Sequence, residues 1–385
     1  MKFFHLSDLH IGKSVYGVSM KEEQKHVFEQ VIVSIKNERP AAVVIAGDVY
    51  DRAIPDVESV RLFDDFLTAL AQENVAVLLI SGNHDSPERL HFASRLLSDK
   101  QLFFYGAFDG TLKKVALPDE YGEVNFWLLP FIKPSMVRGM FGGQETGRAI
   151  ETYDDAVAAA LDAAHVDYTL RNVLVSHQFY VKSGIEALRS ESELDPVGGL
   201  DSVNTEIIER FDYVALGHLH RRQSVGLEHI RYCGSPVKYS FSEWRHEKSV
   251  TVVEMGEKGN LTFRPLPLTP LHDMREIKGS LETLMSSEIF SSGNKEDYLR
   301  IILTDEEEII DPMRKLRSLY PNVLDCRPEN TRTNVDIGAI TANVEKVEKL
   351  SPFDLFSEFF LEIQGSPMSG EQSDIIRQLL EMEEE

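Results

Sequence analysis

The chain has 385 residues, of which 42% are hydrophobic and 27% are charged, and its formal net charge is -23 at pH 7. This length predicts two or three domains, and the composition excludes a disordered or membrane-embedded chain. The negative charge excludes polyanion binding by bulk electrostatics, because phosphate contacts are made mainly by lysine and arginine. A nucleic-acid substrate would need metal ions, local basic patches or a partner to supply the attraction.

The N-terminal run MKFFHLSDLH is too short in its apolar part for a signal peptide. No stretch reaches the roughly 18 apolar residues that a membrane helix needs. The two cysteines, Cys233 and Cys326, fit a reducing compartment without a disulfide framework. We therefore expect a cytoplasmic protein without a membrane partner.

Short apolar runs alternate with helical patterns from Met1 to about Pro267. The runs that predict strands are KFFHLSDLH, AAVVIAGD, VAVLLISGNHD, NVLVSHQ and DYVALGHLH. Unbroken apolar segments such as 43–46 are typical of strands buried on both faces, and residues 21–36 and 56–72 have helical periodicity. This alternation predicts a layered α/β domain over residues 1–268.

The prolines of RPLPLTP mark the predicted end of this domain. Residues 269–345 predict a small α/β domain, with strands in EDYLRIILTDE and NVLDCRP and a helix that Asp311 caps. Residues 346–385 predict two C-terminal helices. These helices either fold back onto the body or dock on a partner, and their many phenylalanines favour docking because an apolar helix face needs a covering surface.

Side chains that bind divalent metals follow five of the predicted strands, and in open α/β sheets such groups meet at the carboxyl ends of the strands. The candidate ligands are Asp8, His10, Asp48, Asn83, His177, His218 and His220. Seven ligands are too many for one metal ion, which has about four to six coordination positions. The set suits two ions that share a carboxylate ligand. Mixed nitrogen and oxygen ligands suit Mn²⁺, Fe or Zn²⁺, and the absence of a cysteine ligand argues against a structural zinc.

Two further motif residues, His84 and Asp51, need not bind metal. A histidine beside a two-metal site could protonate a leaving alkoxide, and a carboxylate against its other nitrogen would fix its tautomer. We therefore predict that His84 is a general acid and that Asp51 orients it. Asp85 is equally suited to bracing its loop and to chemistry, and the histidines outside these motifs are expected to be structural.

The motif series D-x-H, G-D-x-x-D, G-N-H-D, a later H, and G-H-x-H resembles that of the calcineurin-like metallophosphoesterase family. The motifs stand at residues 8–10, 47–51, 82–85, 177 and 217–220. The resemblance implies a four-layer αββα sandwich in which His84 is the acid and Asp51 orients it. It also implies that Asp48 bridges two metals, one held with Asp8, His10 and His220 and the other with Asn83, His177 and His218.

A narrower resemblance covers nearly the whole chain. The runs MKFFHLSDLHIGK, GDVYDRAIP, GNHDSPERL and YCGSPVKYSFSE resemble SbcD, the family of nuclease subunits of bacterial SbcCD complexes. This resemblance implies two Mn²⁺ ions, 3′ to 5′ exonuclease action on duplex DNA, and endonuclease action on single strands and hairpins. It implies a role in DNA repair and recombination.

The same resemblance implies partners. Residues 346–385 would bind SbcC, a coiled-coil ATPase, in a heterotetramer that contains a homodimer of this chain. Residues 269–345 would cap the DNA, and ATP would be used by the partner and not by this chain.

There are two alternatives, one within the same fold and one from another functional class. A phosphodiesterase or phosphatase with a non-DNA substrate would use the same metal centre, since many substrates share this fold and site. The additional residues after Pro270 and their phenylalanine-rich tail disfavour it. A non-catalytic scaffold should have lost metal ligands, and none of the motif ligands is missing from the sequence.

Overall fold

The computed structural model describes residues 1–141, 149–182, 188–193, 202–286, 294–330, 352–365, 367–370, 372–373 and 375–376. These residues belong to two compact units, Met1–Met274 and Arg275–Glu385. The sequence analysis places the end of the first domain slightly earlier, at residue 268.

The first unit contains most of the strands and helices. In chain order its strands are β1 (Lys2–Leu6), β2 (Ser14–Val15), β3 (Val18–Ser19), β4 (Ala42–Ala46), β5 (Ala76–Ile80), β6 (Leu102–Tyr105), β7 (Lys113–Asp119), β8 (Gly122–Leu129), β9 (Arg171–His177), β10 (Phe179–Val181), β11 (Ser202–Asn204), β12 (Tyr213–Gly217), β13 (Gln223–Val225), β14 (Leu227–Tyr232), β15 (Ser249–Met255) and β16 (Leu261–Pro267). Its helices are α1 (Lys21–Glu38), α2 (Val57–Gln72), α3 (Pro87–His91), α4 (Ser94–Leu97), α5 (Pro134–Phe141) and α6 (Tyr153–Ala164).

Two six-stranded sheets form the body of this unit, with strand orders β16-β15-β1-β4-β5-β6 and β13-β14-β12-β9-β8-β7. Strands β1, β4, β5 and β6 run parallel in the first sheet, and β8, β9, β12 and β14 run parallel in the second. Parallel neighbours need long crossovers, which α1, α2 and the α3–α4 segment supply in the first sheet. The five predicted strands and the two predicted helices are therefore confirmed.

The two sheets share one hydrophobic core, to which Val44 and Leu78 of the first sheet and Leu174 and Val214 of the second belong. Strands β4, β5, β9 and β12 are buried along their whole length. Each of them is covered by the opposite sheet on one face and by helices on the other, which is why their apolar runs do not alternate with polar residues. The four-layer αββα sandwich is confirmed.

His5 joins the two sheets inside this core, in agreement with its predicted structural role. Its Nδ1 lies 3.0 Å from the Tyr213 hydroxyl and its Nε2 lies 3.1 Å from the Leu216 carbonyl. Burial lowers the pKa of His5 to about 3, so the ring is neutral at pH 7. Since a carbonyl only accepts, Nε2 donates to Leu216 and Nδ1 accepts from Tyr213.

The second unit contains a small three-stranded sheet in the order β17-β18-β19. Its elements are β17 (Met274–Gly279), α7 (Leu281–Leu284), β18 (Tyr298–Leu303), α8 (Pro312–Arg317), β19 (Val323–Pro328) and α9 (Pro352–Gln364). The predicted cap is confirmed, because the Asp311 side chain accepts a hydrogen bond from the Arg314 amide. The first predicted C-terminal helix is α9, and most of the second lies outside the described residues. In the described part of the chain, no helix has the length and apolar character needed to cross a membrane.

An ion pair that is distant in sequence ties β7 to β9. The Arg171 guanidinium donates to the two carboxylate oxygens of Asp119 at 2.9 and 2.5 Å, and Arg171 is only 5% exposed. We predict that Asp119→Ala lowers the free energy of unfolding by about 3 kcal/mol, because it leaves a buried guanidinium without its partner. Urea denaturation at pH 7 measures this loss, and an unchanged midpoint would contradict it.

The ion pair between Arg171 and Asp119 also makes the stability of the fold depend on pH. Hydrogen bonds from Arg171 hold the pKa of Asp119 below its ordinary value. A carboxylate whose pKa is lower in the folded state stabilises the fold fully above its unfolded pKa of about 4, and this contribution is lost as the pH falls further. The stability difference between the parent and Asp119→Ala should therefore shrink below about pH 4.

Candidate metal centre

The candidate ligands meet where the carboxyl ends of β1, β4 and β5 face those of β9 and β12. Ligand atoms lie within 4.8 Å of one another in three groups: Asp8 with His10 and His220, His10 with Asp48 and His84, and Asp8 with Asp48 and His177. Asn83 Oδ1 completes the set, 3.1 Å from both His177 Nε2 and His218 Nδ1. The structure thus brings all seven sequence-predicted ligands together with His84.

Asp48 lies at the centre of this cluster. Its Oδ2 is 3.3 Å from His177 Nε2 and 3.6 Å from His10 Nε2, and its Oδ1 accepts a hydrogen bond from the His84 amide at 2.9 Å. The Nε2 atoms of His10 and His220 are 3.1 Å apart. Asp48 therefore occupies the position expected of a carboxylate shared by two ions.

The loops that follow the strands hold these side chains in an unusual backbone conformation. Asp8, His10, Asp48 and His218 have positive φ values of 53°, 42°, 50° and 107°. Non-glycine residues adopt such values at a cost of about 1–3 kcal/mol each, usually at functional sites. The Asp8 amide donates to the Gly47 carbonyl and the His10 amide to the Asp48 carbonyl, both at 3.0 Å. These bonds fix the first two loops against each other.

Two motif glycines are explained by the closeness of these loops. A Cβ atom at Gly82 would collide with the Asp48 side chain, and one at Gly47, whose φ is +89°, would collide with the His177 ring. Only glycine allows the backbone to pass so near to the candidate ligands.

Asp85 braces the loop instead of facing the cluster. Its carboxylate accepts hydrogen bonds from the amides of Val49, Tyr50 and Gly82 at 2.9–3.0 Å. Burial, together with the nearby charge of Asp48, raises the pKa of Asp85 to about 6. Of the two roles that the sequence leaves open, these contacts support the bracing role.

The electrostatics of the cluster favour a bound cation. Burial lowers the pKa of His10 to about 4 and that of His218 to about 3, so both rings are neutral at pH 7, the form that binds metal ions. For His177 burial acts in the same direction, but the adjacent Asp48 carboxylate outweighs it and raises the pKa to about 9. A buried carboxylate is stabilised by nearby positive charge, which a proton on His177 or a bound cation can supply, and carboxylate, amide and imidazole groups are the donors that Mn²⁺, Fe and Zn²⁺ accept. The residues therefore fit a pair of divalent ions.

The structure differs from the sequence expectation in the contact between Asp51 and His84. His84 Nδ1 lies 3.0 Å from the main-chain carbonyl oxygen of Asp51, so it is this carbonyl and not the carboxylate that accepts the hydrogen bond. The Asp51 carboxylate instead lies 2.8 Å from Lys13 Nζ and 3.4 Å from His10 Nδ1. The charge-assisted hydrogen bond from the Lys13 ammonium holds the Asp51 carboxylate in this position.

Three side chains that the sequence analysis did not single out form walls of the cluster. The Tyr239 ring lies 5.5 Å from the His10 ring and 5.7 Å from the His220 ring, and Glu243 Oε1 lies 3.3 Å from His220 Nδ1. The third side chain is Lys13. Tyr239 and Glu243 belong to the run YCGSPVKYSFSE, which carries the resemblance but has no metal-ligand spacing of its own. The contacts of Tyr239 with His10 and of Glu243 with His220 arise only in the folded chain.

Comparisons with known proteins agree with this geometry. The family of calcineurin-like phosphoesterases matches residues 1–222, and the type 5 capsule protein repressor C-terminal domain matches residues 270–364. The SbcD subunit of the SbcCD nuclease from Staphylococcus epidermidis is 32% identical over 385 residues, which cover 99% of this chain and 98% of the relative. The protein of the same name from Staphylococcus saprophyticus is 31% identical over 384 residues, with the same coverage.

Among solved structures, a dimetal phosphatase from Danio rerio matches 70% of this chain and 99% of its own, with 10% identity and a TM-score of 0.39. The family assignment depends on the sequence matches alone. The phosphoesterase family covers more than half of the chain, and relatives more than 30% identical cover nearly all of it. The chain therefore belongs to the calcineurin-like phosphoesterases and, within them, to the SbcD family of SbcCD nuclease subunits.

Proposed function

We propose that this chain is the catalytic subunit of a manganese-dependent DNA nuclease. The observation that carries the proposal is the meeting of seven candidate ligands and one partly exposed histidine, His84, at the carboxyl ends of five strands. The curated relatives are named as subunits of a nuclease, which supports nucleic-acid cleavage as the activity. The proposed reactions are 3′ to 5′ exonuclease action on duplex ends and endonuclease action on single strands and hairpins.

The proposed ligand sets follow the two sides of Asp48. The first ion is held by Asp8, His10, Asp48 and His220, and the second by Asp48, Asn83, His177 and His218. The short distance between the Nε2 atoms of His10 and His220 supports the first set. The contacts of Asn83 Oδ1 with His177 and His218 support the second set. Two bound divalent cations would activate a water and neutralise phosphate charge during an in-line displacement.

The exposed side of the centre suggests how substrate enters. Asp8, His10 and Asp48 are buried, whereas Asn83, His84 and His218 are partly exposed. The Asp51 carbonyl accepts a hydrogen bond from His84 Nδ1, so when the ring is doubly protonated its second proton is on Nε2, from which it would pass to the departing oxygen. In this proposal His84 is the general acid, and Asp51 orients it through its main chain.

Partners complete the proposal. In α9, Phe356 is 37% exposed and Phe359 is 58% exposed, and apolar side chains in such positions can anchor a partner. We assign this helix to the SbcC-type ATPase, which would also supply the DNA attraction that a net charge of -23 opposes. Residues 269–345 would cap the DNA.

Phe92 and Leu96, which lie within the α3–α4 segment and are 80% and 76% exposed, support a homodimer within a heterotetramer. The free cysteines Cys233 and Cys326 are consistent with action in the cytoplasm.

The function is tested with labelled hairpin and linear duplex DNA and Mn²⁺, with and without SbcC and ATP. We expect manganese-dependent cleavage that increases when SbcC and ATP are added. Cleavage of simple phosphodiesters with both DNA substrates left intact under all conditions would favour a non-DNA phosphodiesterase instead.

The metal assignment predicts the behaviour of Asp48→Ala. This change removes the shared carboxylate, so Mn²⁺ should no longer raise the melting temperature. In the parent, Mn²⁺ at about 100 times its Kd should add about 2.7 kcal/mol of stability. Asp65→Ala, an exposed change on α2, is the control and should respond to Mn²⁺ as the parent does. Equal metal stabilisation of Asp48→Ala and the parent would refute the bridging role.

The role of His84 predicts a separation of binding from catalysis. His84→Ala should retain both Mn²⁺ ions and lose about 10²- to 10⁴-fold in nuclease rate, as is typical for removal of a general acid. Equilibrium dialysis with metal analysis measures the ions, and His26→Ala on α1 is the control. Since His84 also lies within ligand distance of His10 and Asp48, a parallel loss of metal and rate would identify it as a ligand instead.

The docking role of α9 predicts a loss of partner binding without a loss of chemistry. The double change Phe356→Ser and Phe359→Ser should weaken SbcC binding at least about 30-fold, which corresponds to one strong anchor. Manganese-dependent cleavage of a small diester should persist. The control is Gln364→Ser at the end of the same helix, and unchanged SbcC binding of the double variant would rule out docking through this face.

A further inference from the structure

A buried polar network lies behind His220, on the side of the ring that faces away from the other candidate ligands. Glu243 is fully buried, and its Oε1 lies 3.3 Å from His220 Nδ1. The Ser192 hydroxyl lies 2.8 Å from the same nitrogen and donates to Glu243 Oε1 at 2.6 Å. His220 Nδ1 therefore faces only acceptor atoms of these two residues.

Lys248 balances the charge of this network. Its Nζ donates to Glu243 Oε2 at 2.5 Å, to the Ser235 hydroxyl at 2.7 Å and to the His220 carbonyl at 3.0 Å. Lys248 is also buried. A buried carboxylate and a buried ammonium are each unfavourable alone, and their pairing allows both to remain charged beside the histidine. The Glu243 carboxylate thus holds the ring of His220, and the Lys248 ammonium holds its main chain.

The geometry of His220 requires a particular tautomer. A neutral imidazole carries one proton, which resides on the nitrogen that faces an acceptor. Because Nδ1 faces Ser192 and Glu243, the proton belongs on Nδ1. Nε2 then carries the lone pair, and it is Nε2 that lies 3.1 Å from His10 Nε2 in the cluster.

We propose that Glu243, acting with Ser192 and Lys248, is a positioning residue that keeps the proton of His220 on Nδ1 and thereby directs Nε2 to the first metal ion. Carboxylates that accept from the second nitrogen of a metal-binding histidine typically increase metal affinity 10- to 100-fold. The metal part of the inference rests on the proposed function, since it takes His220 as a ligand. The tautomer part does not.

The two proposed metal positions differ in the groups that lie behind their histidines. His10 Nδ1 lies 3.4 Å from Asp51, which pairs with Lys13, so both histidines of the first position are backed by a carboxylate and a lysine. His177 Nδ1 donates instead to the neutral Ala46 carbonyl at 2.7 Å. Removal of Glu243 should therefore weaken metal binding at the first position and leave the affinity of the second position nearly unchanged.

The tautomer is tested in the metal-free protein, at a pH high enough for the His220 ring to be neutral, by ¹⁵N–¹H correlation spectra of the histidine rings, with His220 assigned from its absence in His220→Gln. We expect the Nδ1–H form in the parent and a mixture of tautomers in Glu243→Ala. Glu243→Gln keeps an acceptor oxygen and should retain the Nδ1–H form. An Nε2–H form in the parent would overturn the proposal, whatever the protein cleaves.

Metal binding is tested by titrating the same proteins with Mn²⁺ alone in a calorimeter. Glu243→Ala should weaken one of the two equivalents about 10- to 100-fold, and Glu243→Gln should weaken it less. Asp119→Ala is the matched control, because it removes another carboxylate from a buried ion pair far from the cluster and should leave both affinities unchanged. If Glu243→Ala does not fold, Ser192→Ala removes the bridging hydroxyl and should weaken the same equivalent.

The outcomes separate this inference from the proposed function. Parent-like affinity at both positions in Glu243→Ala would refute the positioning role even if the protein is an active nuclease. Equal weakening at both positions would also refute it, since that result indicates general loss of structure. A shifted tautomer with selective weakening would support it even if DNA is not the substrate.

Discussion

The structure depends on one constraint, which is the burial of a carboxylate together with oxygen and nitrogen lone pairs at the candidate metal centre. Asp48 lies within 3.6 Å of His10 Nε2 and His177 Nε2, and Asn83 Oδ1 lies 3.1 Å from the same His177 nitrogen and from His218 Nδ1. Burial of such groups without a compensating charge is costly. Bound divalent cations would offset this cost, so a strained part of the fold is also the part that favours a ligand. Folding stability and metal binding are thereby linked.

The remainder of the first unit serves to hold this point in place. Parallel strands buried on both faces end at one edge, so their C-terminal loops converge from both sheets. The loops are then held by main-chain hydrogen bonds, by Asp85 and by glycines that allow close approach. Positive φ values at Asp8, His10 and Asp48 show that the surrounding packing outweighs local backbone preference. A rigid frame of this kind positions ligands more accurately than free loops would.

The second layer of contacts gives the centre its asymmetry. Behind His10 lies the Asp51–Lys13 pair, and behind His220 lies the Glu243–Lys248 pair. Behind His177 lies a neutral carbonyl instead. Burial opposes the ionisation of Glu243, but Lys248 and His220 hold its pKa below the ordinary value. An anionic acceptor makes an imidazole a stronger electron donor than a neutral one does. The two proposed metal positions would therefore differ in affinity, although their proposed direct ligands are similar.

The sequence by itself determined the strands, the helices that join them and the residues that meet at their ends. Unbroken apolar runs such as Val43–Ala46 specify buried strands, and parallel strands leave only one edge where Asp48, His84 and His177 can gather. These are local patterns, and local patterns are what a sequence displays directly. Only the tertiary structure decided that the Asp51 carboxylate turns to Lys13 and that Glu243 reaches His220. Such contacts join residues whose separation carries no period or motif, and they are selected by the competition of several charged groups within a few ångströms, which exists only once the two sheets have packed.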